Sequence, residues 1–234
     1  IIILYIYGNL EGVRPIGVRS IFVRIFGKGI ACSLIQPIRE KLGQNNSVMD
    51  HVGVEKLVKV AIAILESHPE LMGIFPDIIN AFNSMDRAMM LTIFEEDPEL
   101  GEAMNYLKIA YSEYPELLES FDETVMKSET GATQGCPLAM MLFAYAFSKV
   151  FEKLRDILAP EEANTEPADK TFLGAIADDA AIIGTPDKAV LMYLHMQRIA
   201  DEDFNLKFHA SKCAAFSFGL NRMDMITAME DAQN

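Results

Sequence analysis

The stretch FLGAIADDAAII, residues 172–183, decides the fold prediction because two adjacent carboxylates interrupt an otherwise apolar run. Apolar segments on both sides of Asp178 and Asp179 predict a buried β-hairpin with the acidic pair at its tip. Adjacent carboxylates repel each other, and burial adds a desolvation cost, unless a cation holds both. The segment therefore predicts a metal site. The alternative is an Asp-Asp turn in water, since aspartate is common in turns.

A second carboxylate, Asp77, follows the apolar segment 71–75, which predicts a strand leading into it. Metal-assisted phosphoryl transfer needs carboxylates from separate strands to converge on two divalent ions about 3.5–4 Å apart. Asp77 and the Asp178–Asp179 hairpin could supply that geometry from neighbouring strands. The alternative for Asp77 is an ordinary helix cap.

Hydrophobic periodicity predicts a chain that alternates strands and helices, without an internal repeat. The predicted helices cover 20–41, 53–67, 85–96, 99–113, 137–158 and 186–202, and the predicted strands 1–7, 71–75, 121–129, 172–183 as a hairpin, 205–209 and 213–218. This pattern is typical of an α+β or α/β domain.

Composition fits a globular chain of 234 residues, half of them apolar, that can bury one substantial core or two modest lobes. No apolar stretch approaches the roughly 18–20 residues that span a bilayer, so we expect no membrane association. The absence of an initial Met suggests a fragment of a longer protein. Three widely spaced cysteines without a Cys-x-x-Cys pair favour an intracellular, reducing compartment, cytoplasm or nucleus.

The net charge of −14 is distributed unevenly along the chain. Residues 1–60 carry eight basic and four acidic side chains, whereas residues 94–130 carry eleven acids against Lys108 and Lys127. A basic N-terminal part suits a polyanionic ligand, and the acidic middle does not.

Three segments in order resemble the successive palm motifs of reverse transcriptases, most closely those of non-LTR (LINE-like) retrotransposons. They are DIINAFNS at 77–84, GATQGCPL at 131–138 and ADD at 177–179. VRPI at 13–16 resembles the fingers motif of that family, and NLKFHASKC at 205–213 resembles its following palm motif. Any one match is weakly specific, but five in family order are strongly specific.

The resemblance implies an α+β, right-hand polymerase fold: fingers and a palm whose antiparallel sheet packs on helices, with the thumb absent. The implied domains are part of the fingers at 1–70, the first catalytic palm strand at 71–84, fingers or palm insertion helices at 85–130, the palm with its catalytic hairpin at 131–218, and a tail at 219–234.

The resemblance also assigns roles around the metals. Asp77 and Asp178 would be the principal ligands, Asp179 the adjacent carboxylate, and Ile78 would offer mainly its backbone carbonyl. Lys212 would donate a proton to the leaving pyrophosphate or balance its charge. Lys207 competes for that role, and a plain exposed lysine is the alternative for either.

Four further residues would bind substrate. Arg14 would hold the incoming triphosphate with its planar guanidinium. Phe82 would crowd the sugar 2′ position and so favour deoxynucleotides, with core packing as its alternative. Gln134 and Gly135 would lie at the nascent base pair, where glycine lets the backbone approach closely.

The implied activity is RNA-directed DNA polymerisation with two Mg²⁺ ions (Mn²⁺ is possible), acting on an RNA template, a DNA primer and dNTPs. Other domains of a longer polyprotein would be further partners. A catalytically degenerate palm-fold protein, retained for binding or structure, is the alternative, and Phe82 disfavours an RNA-directed RNA polymerase.

Three features depart from the family pattern, one of which is that NLEG at 9–12 lacks the lysine often found before Arg14. Ile176 replaces the aromatic residue usual two positions before the acidic pair. Pro76 precedes Asp77 and cannot donate a hydrogen bond to a sheet ladder, so it is unexpected if that strand is central.

Overall fold

The computed structural model describes residues 2–8, 12–18, 20–111, 116–119, 125–133, 135–160, 162–163 and 170–231. Strands and helices alternate through this part of the chain. In order they are β1 (Ile2–Gly8), β2 (Gly12–Val18), α1 (Ile21–Leu42), α2 (Gly53–Ser67), β3 (Met72–Phe75), α3 (Ala81–Ser84), α4 (Arg87–Glu95), α5 (Gly101–Tyr111), β4 (Glu116–Glu119), β5 (Val125–Lys127), α6 (Ala139–Leu158), β6 (Phe172–Ile176), β7 (Asp179–Gly184), α7 (Pro186–Phe204), β8 (Ala214–Phe216) and α8 (Arg222–Asp231).

The chain forms two compact units, each from two separate segments. The first unit contains Ile1–Lys41 and Asn80–Ala146, and the second contains Leu42–Ile79 and Phe147–Asn234. Residues 42–79 thus belong to the same unit as the Asp178–Asp179 hairpin.

The first unit is built on a four-stranded sheet in the order β2-β1-β4-β5. β1 and β2 are antiparallel, with Ile2 opposite Val18. β4 runs parallel to β1 and antiparallel to β5, which makes this sheet mixed.

A polar cluster is buried in the first unit around Asp97. The Lys41 ammonium lies 2.9 Å from its carboxylate, and the Tyr145 hydroxyl donates to it at 2.6 Å. Burial opposes ionisation, but the hydrogen bonds from Tyr145 and Lys41 outweigh it and hold the pKa of Asp97 below its ordinary value. The ion pair of Asp97 with Lys41 therefore links α1 to the loop before α5.

A second cluster in the first unit fixes the loop that leads into residues 131–138. The buried guanidinium of Arg87 donates from Nε to the Gly131 carbonyl at 2.8 Å and from Nη2 to the Thr130 carbonyl at 2.6 Å. Gly131 itself has φ +63°, and a Cβ there would overlap the Phe82 carbonyl oxygen and the Asn83 backbone. Only glycine fits this approach of two backbone segments.

The second unit is built on a four-stranded, fully antiparallel sheet in the order β6-β7-β3-β8. The central strand β3 pairs on one side with β7, Met72 opposite Gly184, and on the other with β8, Gly73 opposite Phe216. α2 contacts β3, β6 and β7, and α7 contacts β3 and β7.

Helix α2 covers the sheet face that carries Asp179. Alternate residues of a strand point to one face, so Asp179 shares a face with Ile183. Ile183 is fully buried and packs with Ala61 and Leu65 of α2. The acidic end of β7 therefore lies on the helix-covered side of the sheet.

The structure confirms the predicted α+β class, the antiparallel sheet and the six long helices, with ends differing by a few residues. Of the strand predicted at 121–129, Val125–Lys127 is a strand, and residues 121–124 lie outside the described part of the chain. The sequence does not predict the strand Glu116–Glu119. One strand prediction is wrong. The strand predicted at 205–209 is irregular backbone with one isolated bridge, Phe208 to Ile78, because its carbonyls and N–H groups bond to the 77–79 loop instead.

Helix α1 contradicts the expectation that no apolar stretch approaches the length that spans a bilayer. Within the described residues it is one helix that passes the length and composition criteria for crossing a membrane. A core helix of a soluble protein or a signal sequence passes the same criteria, so they assign no membrane role.

Gly131→Ala is expected to destabilise the protein by about 2–4 kcal/mol, because the new Cβ would combine left-handed backbone strain with a backbone clash. Urea denaturation followed by circular dichroism measures this. Gly29→Ala is the matched control: a Cβ there meets nothing within 4 Å, inside a helix, so about 0.5–1 kcal/mol of stabilisation is expected. Equal effects at both positions would contradict the Gly131 geometry.

Asp97→Asn is expected to lower the free energy of unfolding by about 1–3 kcal/mol at pH 7, since it removes a buried charge-assisted pair. A carboxyl with a depressed folded-state pKa stabilises the protein above its unfolded value near 4 and loses that contribution as pH falls through the folded value. The difference between wild type and variant should therefore shrink below about pH 4 in thermal melts. Glu99→Gln removes an exposed partner of the same lysine and should change little.

Candidate active site

The acidic pair lies at the turn between β6 and β7, as the sequence predicts. Ile176 pairs with Asp179, so Ala177 and Asp178 form a two-residue turn. Ala177 adopts a left-handed conformation with φ 54°, which is unusual for a residue with a Cβ. Asp178 is half-buried and Asp179 is exposed, so the expectation that both carboxylates avoid solvent is wrong for Asp179.

Asn46, which sequence reasoning missed, bonds to this turn. Its Nδ2 donates to the Ala177 carbonyl at 2.8 Å, and its Oδ1 accepts from the Ala177 N–H at 3.0 Å. Next to it, the Ser47 N–H donates to the Ala175 carbonyl at 2.8 Å. The loop between α1 and α2 thus continues the hydrogen bonding of β6 past the end of its strand pairing.

Asp77 lies two residues beyond the end of β3. The last paired residue is Phe75, opposite Ala214, so Pro76 falls outside the ladder and its missing N–H costs no strand pairing. The Asp77 carbonyl accepts from the His209 N–H at 2.7 Å. The unexpected proline is therefore compatible with a central strand.

Cys213 holds the other side of the Asp77 backbone. The Asp77 N–H donates to the Cys213 Sγ at 3.4 Å. The Tyr193 hydroxyl donates to the same sulfur at 3.4 Å and accepts from the Gln197 amide at 2.9 Å. Burial and the neighbouring Cys213 raise the pKa of the Tyr193 phenol above its ordinary value, so it stays protonated and remains a donor.

A cavity of about 340 Å³ brings three of the predicted residues of the second unit together, whereas Asp178 and Ile78 do not line it. Its polar lining comes from Asp77, Asp179 and Lys212. The rest is mainly apolar: Val54, Leu57, Val58 and Ala61 of α2, with Phe75, Pro76, Ile176, Ala180, Ala181 and Ala214 of the sheet side. Two carboxylates and a cation thus share a mostly apolar recess at the end of β3 and β7.

The donor set suits a hard cation that keeps other ligands. Asp77 and Asp179 offer carboxylate oxygens, and Mg²⁺ is commonly bound through one or two carboxylates with water and substrate phosphates completing its shell. Among the residues that the structure describes, no three His, Cys, Asp or Glu side chains gather closely enough to hold an ion by themselves. The two carboxylates therefore fit a Mg²⁺ ion that takes its remaining ligands from elsewhere, and the metal site stays a prediction.

The two candidate lysines differ in their surroundings. Lys212 lines the cavity with Asp77 and Asp179. Lys207 instead contacts both oxygens of Asp201, at 2.5 and 2.6 Å, on an exposed surface. This favours Lys212 over Lys207 as the cation that faces the carboxylates.

The predicted substrate residues lie mainly in the first unit. The Phe82 ring packs on Phe143 with centroids 4.7 Å apart, a contact that the core-packing alternative expects. Gly135 is exposed with φ 103°, so its backbone uses a glycine conformation. Gln134 lies outside the described residues, as does the side chain of Arg14 on β2. Their roles stay predictions.

Ile78 belongs to the second unit, and its side chain is buried. Its backbone forms the isolated bridge to Phe208, and the following Ile79 N–H donates to the Lys207 carbonyl at 2.8 Å. The 77–79 backbone is therefore held along its length, but the predicted use of the Ile78 carbonyl as a metal ligand stays a prediction.

Comparison with known proteins finds similar structures but no similar sequences. No family model and no curated protein matches the sequence. Solved structures do match, and together with the antiparallel sheet they define a right-hand polymerase-like fold. The predicted fold is thereby confirmed, whereas a non-LTR retrotransposon origin is not established by these likenesses.

The matching structures include two of one telomerase and one of a viral polymerase. Apo telomerase from Candida tropicalis, truncated from its C-terminal domain, shares 12% identity at a TM-score of 0.61, over 90% of this chain and 49% of that one. Candida tropicalis telomerase in complex with a TWJ fragment of telomeric RNA shares 14% at 0.62, over 92% and 40%. The bacteriophage phi12 RNA-dependent RNA polymerase shares 11% at 0.51, over 88% and 36%. This chain therefore spans less than half of each.

Cys213→Ala is expected to lower the free energy of unfolding by about 1–2 kcal/mol, because the Asp77 N–H and the Tyr193 hydroxyl both lose their sulfur partner. Cys32→Ala is the matched control, since Cys32 is an exposed free thiol and its loss should cost under about 0.5 kcal/mol. Urea titrations of the two variants make the comparison. A Cys213 variant as stable as the Cys32 variant would contradict the network.

Proposed function

We propose that this chain is the fingers–palm part of an RNA-directed DNA polymerase of the non-LTR retrotransposon type. It would add dNTPs to a primer 3′-hydroxyl under the direction of an RNA template. The observation that carries the proposal is the cavity where Asp77, Asp179 and Lys212 meet beside the Asp178 turn. The order of five sequence motifs supports it independently.

Asp77, Asp178 and Asp179, with the Ile78 carbonyl, are the residues that would hold two Mg²⁺ ions (or Mn²⁺). Bound divalent ions lower the pKa of an attacking hydroxyl and neutralise charge on the phosphates. The carboxylates would fix the positions of those ions, after the end of β3 and at the start of β7.

Lys212 would act on the leaving group. Lys212 lines the same cavity as Asp77 and Asp179, where its ammonium would give a proton to departing pyrophosphate or balance its charge. The walls of the recess from α2 and the sheet are mainly apolar, which would strengthen such interactions relative to bulk solvent. Phe82, Arg14, Gln134 and Gly135 are proposed to select and seat the nucleotide on the strength of their motif positions.

The proposed partners are an RNA template, a DNA primer, dNTPs and other domains of a longer polyprotein. One of the similar structures, Candida tropicalis telomerase, was solved with a fragment of telomeric RNA, which supports RNA as a partner of this chain. The three free cysteines agree with the proposed reducing, intracellular location.

Primer extension on an RNA template with dNTPs and Mg²⁺ tests the proposal. Wild-type protein should extend the primer, and Asp178→Ala or Asp77→Asn should reduce the rate by a hundredfold or more, because each removes a carboxylate from the proposed metal site. Equal extension by wild type and the Asp178 variant would remove Asp178 from the reaction. Preference for NTPs over dNTPs would point to an RNA polymerase instead.

The two lysines provide a control within the same experiment. Lys212→Ala should slow extension by about 10²-fold, as expected for loss of a general acid. Lys207→Ala removes a cation held by exposed Asp201 and should leave the rate within about twofold. Equal losses from both would show that general positive charge, and not a placed acid, supports the rate.

A catalytically degenerate palm-fold protein is the second candidate. The absence of a three-ligand group among the described residues favours it. Thermal denaturation with and without millimolar Mg²⁺ separates the two, since an ion that binds the folded state raises the melting temperature. No shift in wild-type protein would favour the degenerate form.

A further inference from the structure

We infer that Asn46 is a positioning residue that sets the conformation of the Ala177–Asp178 turn and thereby the placement of the carboxylates of Asp178 and Asp179. The inference rests on the proposed function for its catalytic consequence. Its geometric basis belongs to the second unit alone.

The Asn46 side-chain amide bonds to Ala177 as a neighbouring strand would, with one donor and one acceptor. Its Nδ2 donates to the Ala177 carbonyl at 2.8 Å while its Oδ1 accepts from the Ala177 N–H at 3.0 Å. The same Oδ1 accepts from the Val48 N–H at 3.1 Å, which orients the amide from its own loop. Asn46 is only 2% exposed, so water does not compete readily for these bonds.

Asn46 bonds to Ala177, a residue whose backbone conformation is strained. Ala177 has φ 54°, where its Cβ crowds the backbone, and such conformations persist only when their surroundings determine them. Both backbone polar groups of Ala177 are held by one side chain. Without that side chain, the turn could relax to a conformation that alanine prefers.

A change at Ala177 would move the acidic pair directly. Ala177 lies between Ile176, the last β6 residue, and Asp178. Since Ile176 pairs with Asp179, the two turn residues alone determine how Asp178 leaves the sheet. Asn46 therefore acts on the carboxylates through the backbone and touches no reacting atom.

The neighbouring residue Asn45 provides a matched control. Its Oδ1 accepts from the Arg155 Nε at 2.8 Å, and Arg155 also donates to the Leu173 carbonyl at 2.9 Å. Asn45 thus fixes the same loop, but it does so against α6 and the far end of β6. Its loss should cost stability without altering the turn.

The experiment compares Asn46→Ala with Asn45→Ala in the full chain. In Asn46→Ala, we expect at least a tenfold faster amide hydrogen exchange at Ala177, a tenfold higher Mg²⁺ concentration for half-maximal primer extension, and a lower kcat with the KM for dNTP within twofold. Asn45→Ala should lower the melting temperature while changing none of these three quantities.

Asn46→Asp is the second variant for the case in which Asn46→Ala does not fold. It keeps the Oδ1 acceptor, but it replaces the donor to the Ala177 carbonyl with a negatively charged oxygen that repels that carbonyl. Its Ala177 amide should stay protected while its Mg²⁺ requirement rises. Unchanged Ala177 exchange in Asn46→Ala, or equal shifts in Mg²⁺ requirement for the Asn45 and Asn46 variants, would overturn the inference.

The failure of the proposed function would be visible separately. If wild-type protein does not extend a primer, Ala177 exchange and the Mg²⁺-dependent rise in melting temperature still compare the variants. A smaller Mg²⁺ effect in Asn46→Ala than in Asn45→Ala then supports positioning of the carboxylates. Equal Mg²⁺ effects, or no effect in wild type, reject it.

Discussion

The pairing of β3 between β7 and β8 is the constraint on which the candidate site depends. Ile74 lies opposite Ile182 on one side and Ala215 on the other, which fixes the register of all three strands. A slip of one residue would turn the apolar face of each strand away from α2. The register also brings the end of β3, with Asp77, beside the start of β7, with Asp179. Placement of the carboxylates is thus a by-product of packing the core.

Beyond the strand ends, the backbone N–H and carbonyl groups bond to side chains and loop backbone instead of to a neighbouring strand. Backbone polar groups that are removed from water need partners, and the irregular segments find them in one another. Asn46 donates to the carbonyl of the hairpin turn, and Cys213 accepts from the Asp77 N–H. The backbone of 207–209 bonds to the Asp77 carbonyl and the Ile79 N–H. Charged residues therefore emerge from backbone that is fixed on both sides, which suits a site whose charges must not move.

The sequence predicts the fold well because the apolar runs and helical periodicities are long and strongly patterned. It predicts the hairpin and β3 for the same reason, whereas a motif resemblance singles out Lys212, which lines the cavity with Asp77 and Asp179. It fails at 205–209, where a strand-like alternation is overridden by bonds to the 77–79 loop. It also misses Asn46, because an asparagine in a polar loop looks the same whether it faces water or is 2% exposed against a distant turn. Long-range polar pairing leaves no periodic signal in a single chain.

The central position of β3 has a consequence for how the polypeptide acquires its structure. Met72 pairs with Gly184 and Gly73 pairs with Phe216, both more than 100 residues later in the sequence. Neither edge of β3 can therefore be paired until those residues have emerged from the ribosome. Contacts between residues so distant in sequence slow folding, since a large loop must close first. During synthesis the apolar segment 71–75 would stay exposed with two unpaired edges, so a chaperone that covers it would protect it from aggregation.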